Sequence, residues 1–145
     1  MIARETAMAA LFTHVTGLVA FKSAMRRFDP WDKINDADKP ALRWLEDGET
    51  NTRTNIAVPT YRILRVKLLV YDFYGDYATT ITTMRFNALL ESVDGAFAVD
   101  KLTNRCDLGL FPQVQDAWIE GDTLKDPGDV DGQAVAVVPV HVLTV

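Results

Sequence analysis

The sequence predicts an α+β fold: one domain over residues 1–145, with a mainly antiparallel sheet and two helices packed on one side of it. Three observations lead there. Two segments, one near the start and one running from about Thr79 to Phe97, carry apolar residues at helical spacing. Most of the remaining segments alternate apolar and polar residues as strands do. The links between most successive strands are too short for a parallel crossover. A chain of 145 residues buries roughly 70% of its unfolded surface, enough for one core without a second domain.

Ala7, Met8, Leu11, Val15 and Leu18 form the apolar stripe of the first helix, with Gly17 near its end. "VAFKSAMRRF" at 19–28 is expected to be a strand, and "DPWDKIND" a turn or a single helical turn starting at Pro30. "PALRWLED" at 40–47 is the next expected strand. The polar run "DGETNTRTN" at 47–55 holds nothing that can enter a core and is expected to be a mobile loop. In "TYRILRVKLLVYDFYG" at 60–75, Leu64, Val66, Leu68 and Val70 share one face; Arg65 and Lys67 interrupt the other, so that face is expected to be partly covered and partly wet. Phe86, Leu89, Leu90, Val93 and Phe97 mark the second helix, with a threonine as its N-cap and Gly95 near its end. "QVQDAWIEGDTLKD" is expected to be one strand, joined through the turn "DPGDVDGQ" to the terminal strand as a hairpin.

Few residues offer chemistry. The formal net charge of −5 argues against a chain whose main task is to neutralise nucleic-acid phosphates. Arg62, Arg65 and Lys67 could touch a polyanion, but Arg65 and Lys67, which share a strand face, are expected to form a salt-bridged sheet face rather than a basic stripe. One cysteine, Cys106, precludes an internal disulfide and fits a reducing cytoplasm. The apolar start is read as a helix rather than a signal peptide, because Thr13, His14, Thr16 and Gly17 break it. No apolar run approaches the ~20 residues of a membrane span, and a soluble location is expected.

His14 is read as a helix-surface or half-buried residue and His141 as solvent-facing, neither as a ligand or base. A Cys106–His141 nucleophile pair has no motif behind it. The aspartates lack metal-ligand spacing, and no two glycines form a phosphate loop. No catalytic, cofactor-binding or metal-binding residue is assigned. Tyr71, Phe73, Tyr74, Tyr77, Trp31, Trp44 and Trp118 are read chiefly as core, and as interface anchors wherever they stay exposed.

The alanine-rich first helix, "PALRWLEDGET" at 40–50, "FNALLESVDGAF" at 86–97, "WIEGD" at 118–122 and "GQAVAVVPVHVL" at 132–143 occur in an order and spacing that resembles the tail-terminator proteins of long-tailed bacteriophages. The resemblance spans nearly the whole chain. It implies a small α+β subunit that assembles as a hexameric ring on the head-proximal end of the tail tube, ends tube polymerisation and offers a surface to the head connector. It implies no catalysis and no cofactor. Partners would be further copies of the chain, the major tail tube protein and the neck protein, with DNA only as passing cargo and no membrane. The location would be the virion, after assembly in the host cytoplasm. A related neck or tail-completion protein is the alternative. No individual functional residue is transferred from the family.

The residues themselves suggest where contacts would form. The polar run, with Glu49, Thr50, Asn51, Thr52 and Arg53, is long enough to reach a neighbour or the ring lumen. Pro139 and His141 lie on the terminal strand. Proline gives no ladder N–H, so that strand is expected to border the sheet, pair with 114–124 on one side, and turn Pro139 toward a neighbour or solvent.

Overall fold

The structure, a computed structural model, describes residues 1–53, 60–75, 82–128 and 131–145. It is an α+β domain with the elements α1 (Arg4–Leu18), β1 (Ser23–Ala24), β2 (Ala41–Thr52), β3 (Tyr61–Phe73), α2 (Thr82–Ala96), β4 (Val114–Ile119), β5 (Leu124–Asp126) and β6 (Gln133–Thr144). Short 3-10 turns at Trp31–Lys33 and Asp36–Asp38 lie between β1 and β2. The strand order is β1-β2-β3-β6-β4, with β5 also paired to β6. Among the described residues the β1–β2 pair is parallel and the other strand pairs are antiparallel.

One face of the sheet carries both helices. Leu64, Val66, Leu68 and Val70 of β3 alternate onto it, as do Ala134, Ala136, Val138, Val140 and Val142 of β6. Ala7, Met8, Leu11 and Val15 of α1 and Phe86, Leu90 and Val93 of α2 close over them. Phe86 has no exposed surface, and its burial contributes about 1.5–3 kcal/mol. The opposite face is covered only in part. There Ile34, from the segment between β1 and β2, packs on Ala41, Leu69 and Tyr71, and the Tyr71 hydroxyl donates to the Asp29 carbonyl at 2.9 Å. Arg65 and Lys67 lie farther along that face and remain half-exposed.

Four expectations need correction. The 19–28 segment forms a regular strand over two residues only, although Lys22 and Met25 donate their N–H groups to the Pro40 and Leu42 carbonyls and Arg27 accepts the Trp44 N–H beyond it. The polar run is not a loop as far as it is described: β2 continues to Thr52, through a bulge between Glu46 and Glu49. Gly48 sits at φ 93° there, a backbone state glycine adopts without steric cost. Residues 54–55 of that run, and the expected helix start at Thr79, lie outside the described residues. The expected single strand at 113–126 is two strands, β4 and β5, separated at 120–123.

The fourth correction concerns β6. It does not border the sheet, since β3 pairs with it along its whole length and β4 and β5 flank its other side. The proline rule still holds, at a finer scale. The β4 register ends at Val140 and the β5 register begins at Val137, so Pro139 faces the break between them. Its carbonyl accepts the Glu120 N–H on that side at 3.2 Å. In a strand, the N and C=O of one residue point the same way, so the nitrogen without a hydrogen also faces the break and β3 loses no bond.

Candidate functional site

Strand alternation divides the residues singled out in the sequence between the two faces. Glu49 and Asn51 register with Leu64 and Arg62 and take the helix side; Thr50 and Thr52 register with Ile63 and Tyr61 and take the open side. Arg53 follows the end of β2. Pro139 and His141 register with Lys67 and Arg65 on the open side. The candidate interface is therefore two clusters rather than one loop.

The helix-side cluster is built around Glu49. Arg4, in the first turn of α1, grips its carboxylate with both Nε, at 2.6 Å, and Nη2. Asn51 Nδ2 donates to it at 3.2 Å, and Arg62 Nε stands 3.7 Å away. The Arg4 hydrogen bond is the main reason that the Glu49 carboxyl is lowered to about 2. This cluster ties the N-terminal helix to the far end of β2.

On the open side, Arg65 Nη1 donates to Thr50 Oγ1 at 2.5 Å. Arg65 is the cross-strand neighbour of His141. His141 Nδ1 lies 3.0 Å from Glu120 Oε2, the oxygen that also accepts Trp118 Nε1–H at 2.8 Å. The Trp118 and His141 rings meet edge to face with centroids 5.6 Å apart. Thr50, Arg65, His141 and Glu120 thus form one polar band across β2, β3, β6 and the end of β4. Lys67 pairs with Asp47 at 3.5 Å, so one of the two cations expected to be salt-bridged is ion-paired and the other, Arg65, is bonded to a neutral hydroxyl.

Sequence reading missed Arg4 and Glu120, the partners that define both clusters. Arg4 lies 45 residues from Glu49, and no local spacing reports such a contact. Glu120 was within reach: Trp118 and Glu120 are two apart, as neighbours on one strand face are.

The Cys106–His141 pair is not assembled. His141 belongs to the open face, whereas Cys106 is buried in the helix-side core, its Sγ 3.7 Å from His14 Nε2. His14 Nε2 also lies within hydrogen-bonding distance of the Ala96 carbonyl. Burial raises the Cys106 thiol above its usual range, with Asp116 adding to the effect, which disfavours the thiolate a nucleophile requires. A cleft of about 410 Å³ opens beside α2, lined by residues that include Asn87, Glu91, Asp94, Thr123 and Lys125. Among the described residues no group of three or more His, Cys, Asp or Glu side chains could hold a metal ion. None of the described helices is long and apolar enough to cross a membrane.

No protein-family model matches the chain, and no curated protein matches it.

Proposed function

We propose that this chain is a structural virion subunit of the tail-terminator kind. Copies of it close into a ring, six in the resembling family, on the head-proximal end of a phage tail tube. The ring ends tube growth and presents a joining surface to the neck, and DNA passes through it as cargo. In this reading the chain binds no cofactor and catalyses no reaction.

The observation that carries the proposal is an open sheet with two unlike borders. One border is formed by residues 25–28 and the uncovered half of β2; the other is formed by the short strands β4 and β5. A head-to-tail ring requires two different surfaces on each subunit, and closure leaves no free end. The bulge at Gly48 and the charges of Glu46, Asp47 and Glu49 also guard the β2 edge against indiscriminate strand pairing. The order of the five resembling segments points the same way. Sedimentation and native mass measurement, on the chain alone and with tube subunits, test the reading. A closed oligomer of fixed copy number that halts tube growth is expected. A monomer at high concentration in both conditions overturns it.

A further inference from the structure

A third polar group stands apart from both clusters, at the start of β6, and it centres on a buried ammonium. Lys39, directly after the turn at Asp36–Asp38, has a side chain only 1% exposed. Its Nζ donates to Asp36 Oδ1 at 2.9 Å and to Gln133 Oε1 at 2.7 Å. Gln133 Nε2 donates in turn to the same Asp36 oxygen at 3.0 Å. The three side chains close a triangle. Gln133 and then Lys39 hold the Asp36 carboxyl below its usual range, so it remains a carboxylate, an acceptor only.

This triangle forms one side of a cleft of about 290 Å³ between the two turns and β6. The cleft also has an apolar part. Ile34 is buried there, and Trp31 is 43% exposed, with its ring centroid 5.8 Å from Lys39 Nζ. Asp32 and Asn35 complete the lining, both exposed. Among the described residues, neither of their side chains nor Asp36 Oδ2 has a hydrogen-bond partner. An ammonium carries three donors, and the triangle uses two of those on Lys39.

The chemistry of these groups narrows what the cleft can take. Asp36 and Lys39 cancel in charge, and Asp32 is followed by Lys33 on the same turn, so neither an anion nor a cation is favoured. Two carboxylates accept, an ammonium donates and an amide does both, a set matched by hydroxyl groups, each of which donates and accepts. The indole surface calls for an apolar face instead. A pyranose ring has both parts, a rim of hydroxyls and a flat face of C–H groups. An apolar wall with a few convergent polar groups is the usual build of a small-molecule site, and the volume lies at the lower end of the usual range of about 300–1,000 Å³. That suits a single sugar ring.

We propose that this cleft binds a neutral saccharide, its pyranose ring stacked on Trp31 and its hydroxyls held by Asp32, Asn35, Asp36 and Lys39. Such binding neither requires nor prevents ring closure. The methyl glycosides of glucose, mannose and galactose test it, each titrated into the isotope-labelled chain and followed by NMR. They are taken to about 100 mM, well above the roughly millimolar dissociation constant expected of so small a ligand in an open site. At least one should give saturable shifts at residues 31–36 and at the Trp31 indole. Trp31→Ala and Asn35→Ala, both at exposed positions, should each weaken that sugar by about fivefold or more, with circular dichroism checking the fold. If Trp31→Ala does not fold, Asn35→Ala decides. Shifts that stay linear with all three sugars, unchanged affinity in the folded variants, an equal response to glycerol, or saturation by adenosine alone overturns the assignment.

Discussion

The strands β2 and β6 are both 12 residues long, yet they are strands for different reasons. Along β6 every second side chain is buried against the helices, from Ala134 to Thr144. β2 is buried on both faces at Ala41–Trp44 and carries mostly exposed side chains from Leu45 onward. Its first half lies between α1 on one side and the Ile34 segment on the other. Its second half is held by pairing with β3, supported by Arg65 on Thr50 and Arg62 on Asn51, and by the Arg4 clasp on Glu49. Burial explains one strand, and the ladder with its cross-strand polar pairs explains half of the other.

The contrast is most severely tested by placing a charge on each strand. Val140→Asp puts a carboxylate where no surface is exposed and should cost more than about 4 kcal/mol. Thr52→Asp should stay within about 0.5 kcal/mol. Urea unfolding of both variants measures the gap, and equal losses would break the distinction.

A smaller effect separates neighbouring positions within β6. Val138 points its N–H toward β3, so Val138→Pro leaves a buried carbonyl without its donor, at a cost of about 1–3 kcal/mol. Pro139→Ala removes only the restriction on the unfolded chain, about 0.4–1 kcal/mol. Thermal melting of the two variants would reveal an error in the orientation of Pro139 if their order were reversed.

The smallest effect belongs to the ladder-held half of β2. Glu49 is lowered to about 2 from an ordinary 4.5, so its folded-state advantage is complete above the ordinary value and is lost as the pH falls through about 2. The stability of Glu49→Gln should therefore vary less than that of the parent between about pH 4.5 and 2. Superimposable pH profiles would show that the Arg4 clasp contributes nothing.

Those differences also explain what could be read from the chain. The two helices, the four-residue apolar alternation of β3 and the helix-side residues of β6 follow from periodicity, and all three appear in the fold. Periodicity reports how many faces are covered but not which strands are neighbours. A proline in an apolar run therefore points to a sheet border, whereas the neighbour of Pro139 is a break between β4 and β5. The run after Asp47 resembled a loop because its side chains are polar, yet strand pairing uses backbone groups that composition does not display. Of the candidate contact residues, Thr50 and His141 come together through Arg65, while Glu49 and Asn51 face the other way. That division follows the two-residue period of a strand, which a run expected to be a loop does not carry.

Gly132 lies at φ 75°, and its carbonyl accepts the Tyr74 N–H at 2.9 Å. A β-carbon at this position would stand 2.3 Å from the Gly75 carbonyl oxygen, so even alanine forces the end of β3 away from the start of β6. In a library of all single substitutions, position 132 should be an empty column beside the tolerant columns at 50 and 52. That gap is a fingerprint by which distant sequences of this architecture can be told apart: one with a bulky residue at the equivalent turn must join its last strand to β3 in another way.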